Sequence, residues 1–327
     1  MTTNLAFRPK VELHLHLEGC LTPAEALLLA RRHGLQLGKN GILALYRHRD
    51  FGEFLRHFGQ LLDLFKGPED LAWLLGRVLG RLRRQGVIYA EIRVSPAVWE
   101  RHGLHPAPCL KTLLALRHTA PLPFNLIVDA VRQWDRALLE RDLDLACAYK
   151  GQGVVAFGLG GDEAAAPAAR FGDLAEECRS RRLPVVPHAG EAMDAGEVAS
   201  AMEVFRPRRI GHGIAAAGSE SVLAEVIRRG VHLEVCPTSN RRTGVIGPRE
   251  RHPLGLLWRR GVHLSLGTDD PALFGATPCG ELRFAARSAG WTLEDMGRSQ
   301  VAAARASFLP PGAREALVRR LEAGWPL

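Results

Sequence analysis

What constrains this chain most is a unit that keeps returning along it: a helix-like stretch, a basic pair, a Gly or Pro, then a short run rich in Val, Ile and Leu. The apolar runs cover residues 11–17, 87–94, 124–131, 154–159, 183–187, 209–212, 231–236 and 262–266. Between most of them lies enough helix-like sequence for a crossover, such as 171–182 or 219–229. Strands alternating with helices argue for the α/β class and a parallel sheet. Eight runs fit a closed (β/α)8 barrel, the TIM barrel, with a doubly wound open sheet as the alternative.

Two parts exceed the repeat. Residues 23–84 are a helix-rich insertion after the first strand, with Leu27, Leu28 and Leu29 and later Phe51, Phe54, Leu55 and Phe58 at helical spacing. Placed where a barrel strand ends, such an insertion reads as a lid or as extra packing helices. Residues 281–327 read as closing helices, broken at Pro310-Pro311. No linker divides the 327 residues, so they are read as one domain.

The formal net charge of +8 raises the question of nucleic acid. The arginines answer it by falling in pairs: Arg31-Arg32, Arg83-Arg84, Arg181-Arg182, Arg228-Arg229 and Arg259-Arg260, each before a Gly, a Pro or a fresh apolar run. Cations at helix C-termini meet the negative end of the helix dipole, so no nucleic-acid partner is expected. The six cysteines form no CxxC pair, and the N-terminus lacks an apolar signal core. The expectation is a cytoplasmic protein with no membrane partner; a homo-oligomer is compatible with it. GQGVVA at 151–156 and GLQLGK at 34–39 fail as nucleotide loops, the first because its glycines precede a strand, the second on length and on Asn40. Trp73, Trp99, Trp134, Trp258 and Trp291 are read as packing anchors.

Within the first run, VELHLHLEG alternates: Val11, Leu13, Leu15 and Leu17 on one face, Glu12, His14, His16 and Glu18 on the other. His14 and His16 therefore project to one side of a strand. Barrel enzymes carry their chemistry at strand C-termini. Here those ends carry Gly161-Asp162-Glu163, His188 and Glu191 in PHAGE, His212 in RIGHG, Ser239 and Asn240 in CPTSN, and Asp269-Asp270 in GTDDP. Inward imidazoles and carboxylates need partners, because an unpaired buried charge is costly. A divalent metal held by His14, His16, His188 and Asp269 would supply one, and three nitrogens with one oxygen suit zinc with a position left for water. Asp269 and Asp270, as neighbours on a strand, cannot both face it, which frees one for substrate.

Together HLHLEG, HAGE, RIGHG, EVCPTSN and TDDP resemble, in order, the adenosine deaminase family of the amidohydrolase superfamily, from Val11 to about Phe274. The resemblance implies a barrel with one Zn2+ per chain on His14, His16, His188 and Asp269. It implies that Glu191 protonates a purine ring nitrogen, that His212 orients or deprotonates the attacking water, and that Asp270 and the Gly161 N–H bind the purine. Glu18 and His16 complete the expected substrate site. Water then adds to the carbon bearing the exocyclic amine, and ammonia leaves.

Some positions depart from the pattern for adenosine. Glu18 stands where nucleoside-specific members carry Asp, Gly158 where an acidic residue is frequent, and Cys20 where a small residue is usual. Relatives acting on adenine or on 6-aminodeoxyfutalosine are also similar here. The GHG, PTSN and FGLGGDE strings resemble the nucleoside-type branches more. The expected substrate is therefore a 6-aminopurine nucleoside of adenosine type, with 6-aminodeoxyfutalosine and adenine as alternatives. Another amidohydrolase activity, on an amide, lactone or phosphoester, and a non-catalytic metal-binding homologue are the remaining readings.

Overall fold

The structure, a computed structural model, describes residues 5–47 and 51–327; the side chains of Phe51, Phe54 and Leu55 lie outside what it describes. Eight parallel strands follow one another in sequence order around a nearly closed barrel. They are β1 (Lys10–His16), β2 (Val87–Val94), β3 (Phe124–Val131), β4 (Val154–Gly160), β5 (Val185–Ala189), β6 (Arg209–His212), β7 (His232–Val235) and β8 (Leu264–Leu266). The expected runs find their strands with shifted edges. Leu17 leaves β1 in a helical conformation, and Leu183 precedes β5 because Arg182 turns the chain through a φ of 53°. His263 stands before β8 and is exposed.

Helices flank the strands, and the basic pairs fall at their C-termini as the dipole argument requires. Arg31-Arg32 end the helix Pro23–Arg32, Arg83-Arg84 end Pro68–Arg84, and Arg228-Arg229 end Glu220–Arg229. Arg181 caps Gly172–Ser180 from just outside. The insertion after β1 forms four helices, Pro23–Arg32, Lys39–Ala44, Phe51–Leu62 and Pro68–Arg84. Its first helix starts in a capping box between Thr22 and Glu25, and the buried Glu25 pairs with Arg77 and Arg81. Arg81 also donates to the Cys20 carbonyl at 2.7 Å, tying the insertion to the end of β1.

Three helices close the chain, Pro278–Ala289, Leu293–Ala306 and Pro311–Gly324. Val11 and Leu13 of β1 pack in one cluster with Val301, Ala304, Leu317 and Leu321. Below the barrel, Phe308 covers the Arg209 guanidinium at 4.4 Å and its N–H donates to Glu91 at 2.7 Å. No helix among the described residues is long and apolar enough to cross a membrane, and all six cysteines are free.

Alternation fixes which side chains enter the barrel. One face of each strand meets the helices, and the other carries Glu12 and His14 on β1, Glu91 and Arg93 on β2, Asp129 on β3, Arg209 on β6 and Glu234 on β7. A TIM barrel interior is usually filled by branched aliphatics. This one carries these charges above a small apolar cluster of Ile127, Ala156 and Val186.

Outside the barrel, Asp142 on the helix Arg136–Ala148 is buried, and one of its carboxylate oxygens lacks a hydrogen-bond partner. Burial pushes its pKa up to about 8, against the backbone N–H of Ala97 that accompanies it. An unfolded aspartate ionises near pH 4, so the folded form holds the extra proton across that interval. Stability from this group is full below about pH 4 and is lost as pH rises towards 8. Asp142→Asn mimics the protonated form at every pH. Its melting temperature should exceed that of the parent by a margin that widens from pH 5 to pH 8, as scanning calorimetry in matched buffers would record.

Candidate active site

The seam between β8 and β1 sets the site. Asp269 donates its backbone N–H to the His14 carbonyl at 2.9 Å, and the His16 N–H donates to the Asp269 carbonyl at 2.9 Å. To make both bonds Asp269 adopts a φ of 59°, left-handed backbone that a non-glycine residue takes at a cost of about 1–3 kcal/mol. The turn aims its carboxylate into the barrel mouth. Asp269 Oδ1 then lies 3.6 Å from His14 Nε2 and 3.4 Å from His16 Nε2. His212, at the end of β6, is the second strained side chain here, with a φ of 60°.

Donor atoms of His14, His188, His212 and Asp269 all lie within 4.8 Å of one another. The His188 ring centre is 4.8 Å from that of His14 and 5.3 Å from that of His16. Three of the four expected ligands, His14, His188 and Asp269, thus share one group with His212, whereas His16 groups with His188 and Asp129 and reaches Asp269 through its Nε2. Gly267 makes the convergence possible: a Cβ there would stand 2.6 Å from the His14 Cβ and 2.9 Å from its carbonyl oxygen. At Gly158, where an acidic residue was the common alternative, a side chain would strike the Asp129 carboxylate. The departure has a steric cause.

The residues fit a bound cation on three counts. His14 Nε2 is fully buried and has no hydrogen-bond partner. Among the described residues, Glu91, Asp129, Glu234 and Asp269 share the barrel interior with two guanidiniums, Arg93 and Arg209. Glu12 adds no charge there at neutral pH, since burial lifts its carboxyl to about 8. The imidazoles are also in the ligating form: burial lowers His16 and His212 to about 3 and His188 well below its ordinary value. His14 is pushed down by burial and by Arg93, and lifted past both by the nearby Asp269 carboxylate and its bond to Glu234, to about 8. A cation at Nε2 would take the place of that proton. Burial opposes ionisation of Asp269, yet His14, His212 and His16 hold it well below the carboxylate range.

Glu191 sits on the turn after β5, where Gly190 has a φ of 66°, and its Oε2 is 3.3 Å from His212 Nε2. Burial, then the charges of Asp269 and Glu163, raise its pKa to about 8, so at neutral pH it carries a proton to donate. Glu163 fixes this turn by accepting the backbone N–H groups of Glu191 at 3.1 Å and Met193 at 3.0 Å. The Asn240 amide lies 3.3 Å from His212 Nδ1 and orients that ring. Asp270 packs directly over Gly19, and burial with the neighbouring Asp269 and Glu18 charges raises its pKa well above normal. Gly161 opens the β4 loop with a φ of 97° against Gln133. Glu18 is buried and accepts the Ser95 N–H at 2.8 Å, so part of its carboxylate is committed to the end of β2.

Sequence reasoning did not reach the layer behind these groups: Glu234, Asp129 and Arg93. Glu234 lies in a run, VHLEVC, where a glutamate between Leu and Val was the available signal. Its Oε2 is 2.8 Å from His14 Nδ1.

The chain matches the family model for adenosine deaminase over residues 9–323. It belongs to the adenosine deaminase family. As a member it is a hydrolytic deaminase, acting on a C–N bond. It is 36% identical over 293 residues to an aminodeoxyfutalosine deaminase of Acidothermus cellulolyticus, covering 85% of this chain and 82% of that one. An adenine deaminase of Rhizobium rhizogenes is 30% identical over 325 residues, 98% of this chain and all of its own. In structure the deaminase is similar to the adenine deaminase of Arthrobacter aurescens, with a TM-score of 0.89 at 25% identity, covering 97% and 98% of the two chains.

Gly267→Ala should destabilise this deaminase by about 1–3 kcal/mol, since the new methyl must displace His14 or its backbone. A thermal melt would read the loss of stability, and elemental analysis a lower metal content than in the parent.

Proposed function

We propose that this deaminase replaces the exocyclic amine of a 6-aminopurine by oxygen, with one zinc ion per chain, and that its substrate carries a nucleoside-type group on the purine. The observation that carries the reading is the grouping of Asp269 with His14, His188 and His212, with His16 Nε2 3.4 Å from Asp269 Oδ1 and Glu191 3.3 Å from His212. His14, His16, His188 and Asp269 hold the zinc, three nitrogens and one oxygen suiting that ion. When bound, the ion supplies Lewis acidity and lowers the pKa of water towards neutrality.

Glu191 delivers its proton to a ring nitrogen beside the amine-bearing carbon, which makes that carbon electrophilic. His212, neutral and oriented by Asn240, orients the water or takes its proton during attack. Asp270 binds the opposite edge of the purine, and the Gly161 N–H meets a further ring nitrogen. Glu18 and His16 line the substrate side. The Glu191 proton stays on the ring nitrogen. The proton taken from water by His212 passes to the amine so that ammonia departs neutral, and the remaining hydroxyl proton returns to Glu191 as the C=O bond forms.

The nucleoside-type substituent is supported by the GHG, PTSN and FGLGGDE strings and by the relative named aminodeoxyfutalosine deaminase. Free adenine is the second reading, favoured by one observation: Glu18 replaces the expected Asp and spends an oxygen on Ser95.

Ammonia release from adenosine, 6-aminodeoxyfutalosine and adenine, compared as kcat/KM, tests both. Higher values on the two substituted purines support the first reading; preference for adenine overturns it in favour of the second; no release from any of the three refutes aminopurine deamination. Glu191→Gln should lower kcat about 10²–10⁴-fold while zinc content stays at the parent level. Activity close to the parent's would remove Glu191 from the mechanism.

A further inference from the structure

We propose that Arg93 is a positioning residue that holds both histidines of the HLH pair through one guanidinium. The proposal rests on the metal site described above. Arg93 lies on β2, fully buried, and its two terminal nitrogens serve different carboxylates. One donates to Asp129 Oδ1 on β3 at 2.8 Å, the other to Glu234 Oε2 on β7 at 3.0 Å. Each carboxylate in turn faces the Nδ1 edge of one histidine of β1. Glu234 Oε2 is 2.8 Å from His14 Nδ1, and Asp129 Oδ2 is 3.6 Å from His16 Nδ1. The opposite edges, the two Nε2 atoms, both approach Asp269 Oδ1.

A carboxylate behind a ligating histidine fixes the tautomer and the ring angle and makes the ring a stronger donor. Here the carboxylate bonded to His14 and the one facing His16 hang from one rigid fork, so the supports of the two imidazoles are linked. The planar guanidinium suits this task because its donors point in fixed directions; an ammonium is a point charge on a flexible stem. Neutralising Glu234 does not require Arg93, since Arg209 already pairs with its other oxygen at 2.6 Å. What Arg93 adds is the bridge to Asp129, and so the coupling of His16 to His14.

The test compares the parent with Arg93→Lys and Asp129→Asn. Each protein is stripped of metal, titrated with zinc against a competing chelator, and loaded separately with cobalt(II) to record its visible spectrum. Thermal melts of the stripped proteins report folding independently. Loss of one outer carboxylate partner weakens metal binding about 10-fold, and loss of the fork that holds two should approach about 100-fold. The expected order of zinc affinity is therefore parent, Asp129→Asn, Arg93→Lys, with the cobalt spectrum shifted in both variants. Arg93→Lys binding zinc within about twofold of the parent, with an unchanged cobalt spectrum, overturns the proposal. If Arg93→Lys does not fold, Asp129→Asn decides, because it keeps the side-chain volume and removes the carboxylate that Arg93 holds behind His16; unaltered affinity there overturns it too. A parent that takes up neither ion refutes the metal site itself, an outcome distinct from variants that bind as the parent does.

Discussion

Two backbone hydrogen bonds, from Asp269 to His14 and from His16 to Asp269, join the last strand to the first. The bridge between Leu15 and Asp269 is short for a barrel seam, and it lies at the level of the candidate site. Barrel integrity and site geometry therefore depend on the same atoms. The left-handed conformation of Asp269 is the local cost of combining them, and the surrounding strands hold it in place.

The interior beneath the seam follows from the needs of the rim. Three neutral imidazoles and a carboxylate that stays ionised under burial require a charged environment with little freedom to rearrange. Arg93 and Arg209 supply it from below, each shared between carboxylates. Removing one member of such a set leaves a buried charge without a partner, at a cost of about 3–5 kcal/mol. Gly158 leaves the space that Arg93 and Asp129 occupy, and Gly267 the space of His14. Stability from apolar burial is accordingly concentrated outside the strands, against the helices.

The strand order and the rim residues were legible in the sequence, because period-two alternation and strand-end position are local patterns. His14, His16, His188, His212 and Asp269 could each be placed at a strand end, and Asp269 could be assigned an inward direction. The left-handed turn that aims it could not, since nothing around Thr268 or Asp269 marks a positive φ in the way a glycine would. The supporting layer was hidden for another reason. Arg93, Asp129 and Glu234 lie 36 and 141 residues apart along their two contacts, and single charges within apolar strands announce burial without naming a partner. Edges of strands also escaped, as at Leu17 and His263, where the chain turns before the apolar pattern ends.

Phe308 lies across Arg209 at the lower end of the cylinder and its N–H is bonded to Glu91. That end is thereby stoppered by the connection between the last two helices. Closed there, the barrel leaves the opposite rim, where the strand C-termini lie, to admit substrate and water and to release ammonia.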